Sequence, residues 1–247
     1  MRRNIVAIAL ASVMAALIPG ILASAQELHK TYAIGAGGHI LIKNISGDVK
    51  VTGYNGGVIM VDAYPVGRDR DLVKVEDLSS GDRIELHVRY PESCNCDAGV
   101  NFDVHVPAGL DYNFDRLGSV SGNIEVSSVR GIIRATSVSG NVTVTDVTGT
   151  VNASSVSGNV DAQITRIQGA DEMKFSSVSG NVSVKAPRNA DADIEMSSVS
   201  GYLETDFPIQ VQEAKYGPGR SARGRVGTGA HSLRVTTVSG KVSLTRN

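Results

Sequence analysis

Few residues of this 247-residue chain could do chemistry, and they are scattered. Cys94 and Cys96 stand in the run SCNCD. Such a pair can close a very small disulfide loop, stay as free or intermolecular thiols, or serve a metal or redox role. With no third cysteine and no adjacent histidine, it falls short of the ligand set of a structural zinc site. The five histidines, His29, His39, His87, His105 and His231, show neither H-E-x-x-H nor another paired metal spacing. No G-x-S-x-G nucleophile elbow occurs. Asp191, Asp193 and Glu195 alternate, so a strand would point all three outward, to bind a cation or to be solvated. Glu125, Arg134, Asp146 and Asp161 read as not sharing a repeat position, unlike the clustered acids of polysaccharide-cleaving β-helices. Lys215, Arg220, Arg223 and Arg225 give the segment 207–230, FPIQVQEAKYGPGRSARGRVGTGA, a basic face. That face suits an anionic glycan, a lipid headgroup or nucleic acid, or is a solvated loop. Its GPGRSARG lacks the Gly-Lys-Ser/Thr ending of a phosphate loop. No catalytic residue, cofactor or metal site is assigned.

The elements that must position these groups are written in a repeat. SVSGNI at 119–124 becomes SVSGNV at 137–142, 155–160 and 177–182. The glycines Gly122, Gly140 and Gly158 are 18 residues apart, and Gly180, Gly201 and Gly240 follow after 22, 21 and 39. Gly131, Gly149 and Gly169 fall midway, which sets a beat of about nine residues and a coil of two beats. Apolar residues recur two and four positions after each glycine (Val142 and Val144, Val182 and Val184). They recur again seven, five and two before it (Met173, Phe175 and Val178; Ile194, Met196 and Val199; Leu233, Val235 and Val238). Short period-two runs are strands with one buried face, and glycine lets the chain turn between them.

The expected fold is all-β: a single-domain parallel β-helix or β-solenoid of about 18–22 residues per coil, each coil stacking on the one before it. Residues 28–110 form irregular opening coils with a polar excursion at 66–83, or else a separate β-sandwich. Residues 111–247 form the regular coils, interrupted by a loop at 207–230. Asn123, Asn141, Asn159 and Asn181 follow the glycine in register, and stacked asparagines can hydrogen-bond up a parallel ladder. The serine columns could also order water or bind sugar.

Residues 1–25 read as a secretory signal peptide: Arg2 and Arg3, an apolar run from Ile5 to Leu22 broken at Pro19-Gly20, and Ala23-Ser24-Ala25 before the cut. Residues 26–247 would then be the mature β-solenoid domain, with no transmembrane helix. Without residues 1–25, which hold two arginines and no acid, the net charge is about −3, and nothing demands a nucleic-acid partner.

The SVSGNV motif, the opening GGHILIKNISGDVKVTGY, the VHVPAGLD hinge at 104–111 and the closing GTGAHSLRVTTVSGKVSL together resemble the DUF4097 family, over residues 28–247. These are exported bacterial β-solenoids grouped as adhesins. The resemblance implies a right-handed stack and an envelope location, and it brings no catalytic residues. The expected function is a non-catalytic, adhesin-like binding or scaffolding module, exported to the periplasm, the cell surface or the medium. Its partner is an envelope polymer or protein. The alternative is a polysaccharide-active enzyme on the same fold.

Overall fold

Val142 pairs with Val160 in parallel register, and Val160 pairs with Val182. Val49 and Ile124 extend this column on one side, Val242 and Leu203 on the other. The computed structural model that shows this describes residues 27–169, 172–213 and 219–247. The signal peptide expected at 1–25 lies outside them. Among the described residues, no helix is long and apolar enough to cross a membrane.

The column belongs to one of two walls of an all-β solenoid. The first wall stacks parallel strands in the order Arg83–Arg89, His39–Lys43, Asp111–Ser121, Arg130–Ser139, the later half of Val142–Ser157, Met173–Ser179, His231–Ser239 and Ala192–Ser200. The second runs Gly99–Pro107, Val49–Tyr54, Ile124–Ser127, the early half of Val142–Ser157, Val160–Ile167, Val182–Ala186, Val242–Arg246 and Leu203–Thr205. Between the walls lies one continuous core of small and branched side chains, with Val142, Val160, Val182, Ile133 and Val235 fully buried. Burying one such side chain contributes about 1.5–3 kcal/mol, so each coil depends on the contacts it shares with both neighbours.

At the corner between the walls, each letter of SVSGN has its own task. The first serine points inward. Ser137, Ser155 and Ser177 are buried, and each donates its hydroxyl, at 2.8 Å, to the carbonyl of Gly122, Gly140 or Gly158 in the adjacent coil. Ser119, Ser198 and Thr237 do the same toward Gly47, Gly240 and Gly180. This satisfies a carbonyl that the buried corner would otherwise leave short of a partner. The valine that follows points out. Val138, Val156 and Val178 are 42%, 45% and 47% exposed, so the expectation that Val178, Val199 and Val238 face the core is wrong. The wall keeps strict alternation through the serine, and that turns the valine to solvent.

At Gly122, Gly140, Gly158, Gly180 and Gly201 the glycine is needed for close stacking rather than for left-handed backbone. A Cβ on Gly140 would sit 2.1 Å from the Gly122 carbonyl oxygen, and one on Gly158 would sit 2.2 Å from that of Gly140. Left-handed backbone occurs at the opposite corner, at Gly131 (φ 116°) and Gly149 (φ 139°), and among the motif glycines at Gly47 (φ 106°) and Gly240 (φ 147°). Gly140→Ala should therefore destabilise the protein by about 3 kcal/mol, because backbone on neighbouring coils cannot retreat from the methyl group. A urea midpoint equal to the wild type would refute the close-stacking account.

The coils do not stack in chain order. His231–Ser239 lies between Met173–Ser179 and Ala192–Ser200, and Val242–Arg246 lies between Val182–Ala186 and Leu203–Thr205. The last coil has been slotted into the stack, and the coil before it forms the end. Every coil offers the same Ser, Gly and Val pattern, so any coil fits any neighbour, and the connections decide the order. The segment 207–230 makes this connection, and it is not simply a loop. Gln210–Glu213 and Arg220–Val226 pair antiparallel, and the second strand adds antiparallel to Ala192–Ser200 as a cover on that edge.

The opposite end is likewise antiparallel, which departs from purely coil-like opening turns. Ile59–Val66 lies between Gly99–Pro107 and Leu28–Tyr32, and Lys74–Asp77 pairs with Arg83–Arg89. Asp77 ties the two outer strands together. It contacts Lys30 and accepts a 2.9 Å hydrogen bond from the Tyr32 hydroxyl. Burial pushes its carboxyl up, but hydrogen bonds from Lys30, Ser79 and Tyr32 outweigh that and hold it at about 2.

Candidate functional site

Strict alternation along the first wall gives its outer face three parallel rows. The corner row is aliphatic: Val120, Val138, Val156, Val178, Val238 and Val199, one from each successive strand, preceded by Ile45 just past the end of His39–Lys43, all 42–57% exposed. The middle row is small and mostly hydroxylic: Gly118, Thr136, Ser154, Ser176, Thr236 and Ser197. Ser154 donates to Thr136 at 3.2 Å within it. The third row is polar and mostly charged: Arg134, Asn152, Lys174, Arg234 and Glu195, with Arg116 and the His39- and Arg83-paired Asp115 placed beside Arg134 by a bulge. An irregular register between Ile133 and Ala135 sets that bulge.

The basic face expected on 207–230 is largely neutralised. Arg223 pairs with Glu195 at 2.7 Å, Arg225 with Asp193 at 2.6 Å, and Arg220 with Glu213 at 3.3 Å. Arg220 also lies over the Tyr202 ring, 4.7 Å from its centre. Lys215 lies outside the described residues. The Arg223–Glu195 and Arg225–Asp193 pairs border an open depression of about 720 Å³ against Ile194 and Ser232.

The same pairs account for the alternating acids. Asp193 is held by Arg225, Glu195 by Arg223 and Arg234, and Asp191 accepts from the Thr228 hydroxyl at 2.7 Å and the Gly229 amide at 2.6 Å. The Thr228 hydroxyl and the Ala230 amide lower the Asp191 carboxyl, and the Arg225 guanidinium lowers that of Asp193. All three acids are thus committed to holding the hairpin against the stack. Among the described residues, no group of three or more His, Cys, Asp or Glu is placed to hold a metal ion.

The asparagine column takes a form of its own. The side-chain oxygens of Asn123, Asn141 and Asn159 accept from the backbone amides of Asn141, Asn159 and Asn181, at 3.0, 2.8 and 2.9 Å. Asp48 starts this chain below Asn123, and Lys241 receives it above Asn181. Each carboxamide therefore ties two coils through backbone rather than through a neighbouring carboxamide. Cys94 is disulfide-bonded to Cys96, with Cα atoms 5.2 Å apart, next to the capping end.

Two acids taken as unrelated do share a row. On the second wall Glu125 faces Thr143 and Thr143 faces Asp161, so the two carboxylates project from the same position two coils apart. Both stand three residues after a motif glycine, a spacing legible in the sequence. Burial raises the Asp161 carboxyl. A second network spans His39, Asp115, Arg83 and Glu85, with His39 Nδ1 2.9 Å from Asp115 and the Arg83 guanidinium 2.9 Å from Glu85.

A family model described as Toastrack DUF4097 matches residues 38–245. No curated protein matches the chain. One similar solved structure is described as "a putative cell adhesion protein" from Clostridium sporogenes ATCC 15579. It is 11% identical with a TM-score of 0.44, and the match covers 90% of this chain and 100% of that one. Another is described as "a putative adhesin" from Bacteroides fragilis NCTC 9343. It is 12% identical with a TM-score of 0.44, covering 91% of this chain and 99% of its own.

Proposed function

Since this chain belongs to the Toastrack DUF4097 family, we propose that it is an exported, adhesin-like module that binds or scaffolds envelope material without turning it over. The observation that carries this reading is the aliphatic corner row. Seven branched side chains stand outside the core on a rigid, regularly spaced edge, where a monomer without partners gains nothing from them. The hydroxyl and charged rows beside them supply the polar rim of a binding face. The apolar run and small-residue site of residues 1–25 support export to the periplasm or the cell surface.

Retention of the purified protein on isolated cell-envelope material tests this. Saturable retention, weakened tenfold or more by Val156→Ser with Val178→Ser, is the expected result. Retention that does not saturate, or that ignores both changes, overturns it. A second reading, polysaccharide cleavage, rests on Glu125 and Asp161. Their strands are two spacings apart, about 9.6 Å, slightly beyond the ~6.5–9.5 Å that separates the carboxyls of an inverting pair. New reducing ends from an envelope polysaccharide, lost in Asp161→Asn, would replace the binding reading with this one.

A further inference from the structure

We propose that the outer face of the first wall binds a linear polyuronate: an extended, carboxylate-bearing polysaccharide lying along the solenoid axis and crossing the strands. The proposal rests on the binding-module reading and names its ligand class and site. Its carboxylates would sit over Arg116, Arg134 and Lys174.

Those three cations differ from the others on the first wall, where Lys43, Arg83, Arg89 and Arg130 all face carboxylates. The arginines of the 207–230 hairpin have carboxylate partners, and Arg234 is shared between Glu172 and Glu195. Arg116, Arg134 and Lys174 are exposed, and none has an ion pair among the described residues. Cations left unpaired in one row of a rigid face are available to an incoming anion at little cost in rearrangement.

Spacing selects the shape of the anion. Neighbouring strands are about 4.8 Å apart. Arg116 and Arg134 are on adjacent strands, Asn152 follows, and Lys174 is next. A sugar in an extended polysaccharide advances by about one such step. Successive uronates along the axis would thus meet guanidinium, guanidinium, carboxamide and ammonium in turn, with the arginines able to take a carboxylate two-pronged.

The flanking rows suit a sugar rather than a bare anion. Thr136, Ser154, Ser176 and Thr236 form a shallow trough floored with hydroxyls that can both donate and accept, and the Arg116 side chain lies against the buried Gly118 at its end. The valine row walls its far side and offers aliphatic surface to the C–H faces of the rings. No aromatic residue stands in the three rows, so bases have nothing to stack on and single-stranded nucleic acid is disfavoured. The opposite wall carries Asp103, Glu125, Asp161 and Glu204 outward in one row, with Lys50 among them and Lys185 beside them. A polyanion would be repelled there and steered to the first wall.

Calorimetric titration of the purified protein with alginate oligosaccharides tests the proposal, with dextran oligosaccharides and inorganic polyphosphate of matched length as comparators. Alginate should bind with salt-sensitive affinity, and neither comparator should match it. Arg134→Ser with Lys174→Ser should weaken alginate tenfold or more, while Lys185→Ser on the second wall leaves it unchanged. All three sites are exposed, so the melting curves should overlay. The assignment is overturned by alginate that does not bind, by equal binding of polyphosphate, or by a double variant that binds like wild type. If envelope material is retained saturably but alginate is ignored, this ligand class falls and the module reading stands. If neither binds, both fall.

Discussion

Val142→Asp is expected to destabilise the protein by about 4 kcal/mol, and Val138→Asp, four residues earlier, by less than about 0.5 kcal/mol. Val142 is fully buried, with Ile124 and Val160 directly beside it on the neighbouring strands. A carboxylate there has no cation to pair with and must either stay charged in apolar surroundings or take up a proton at neutral pH. Neither route keeps the column intact, and because each coil is held by its neighbours, loss at Val142 loosens the coils on both sides. Val138 stands in the outer corner row, 42% exposed, and an aspartate there simply meets water. Urea unfolding of both variants is the measurement. Equal midpoints would mean that the inward and outward columns have been exchanged.

That pair of substitutions also marks where the sequence could be read and where it misled. Positions two and four after each glycine predict Val142, Val160 and Val182 as one inward column, and the register agrees. Positions seven and five before it predict Ile133 and Ala135, also buried. Carried one step further, the same period of two lands on Ser137, three before the glycine, not on Val138. Counting only apolar positions steps from seven and five to two before the glycine, which breaks the alternation and places the valine inside. The structure resolves the conflict through the Gly122 carbonyl, which needs the Ser137 hydroxyl and receives it at 2.8 Å. A buried polar group with a waiting partner is invisible to hydropathy.

The charges of the hairpin were misread for a similar reason. Gly, Pro and Arg in GPGRSARGRV suggest a loop, and composition hides the alternation that points Ala222 inward and Arg223 and Arg225 toward Glu195 and Asp193. Partners brought together by an antiparallel addition some thirty residues away leave no local trace. Arg134 reads alone as sharing no repeat position, yet Arg134, Asn152 and Lys174 each stand six residues before a motif glycine, and only the bulge that adds Arg116 leaves no trace in the spacing.

Deleting residues 231–247 should have the largest effect of all, and in a place that chain order would not suggest. A solenoid stacked in sequence loses only its end cap when its last coil is removed. Here the last coil is interior. It carries the fully buried Leu233, Val235, Val242 and Leu244, worth about 1.5–3 kcal/mol each. It also pairs on both sides, with Met173–Ser179 and Val182–Ala186 below and with Ala192–Ser200 and Leu203–Thr205 above. Removing it cuts the coil 192–205 and its hairpin away from the stack, while residues 28–167 keep every strand partner they have and lose the 2.6 Å hydrogen bond from the Asn247 carboxamide to the Ile164 carbonyl. Hydrogen exchange should therefore show 192–226 exchanging as unfolded chain and Val49–Tyr54 through Val160–Ile167 protected as before. A synthetic peptide of residues 231–247, added in trans, should enter the vacated slot and restore protection to 192–200, since the motif that seats it is the same Thr237 hydroxyl on the Gly180 carbonyl and the same glycine over glycine. Full protection of 192–200 in the truncated protein without peptide would show instead that this coil can close directly onto Met173–Ser179, and that the inserted coil is dispensable to the stack.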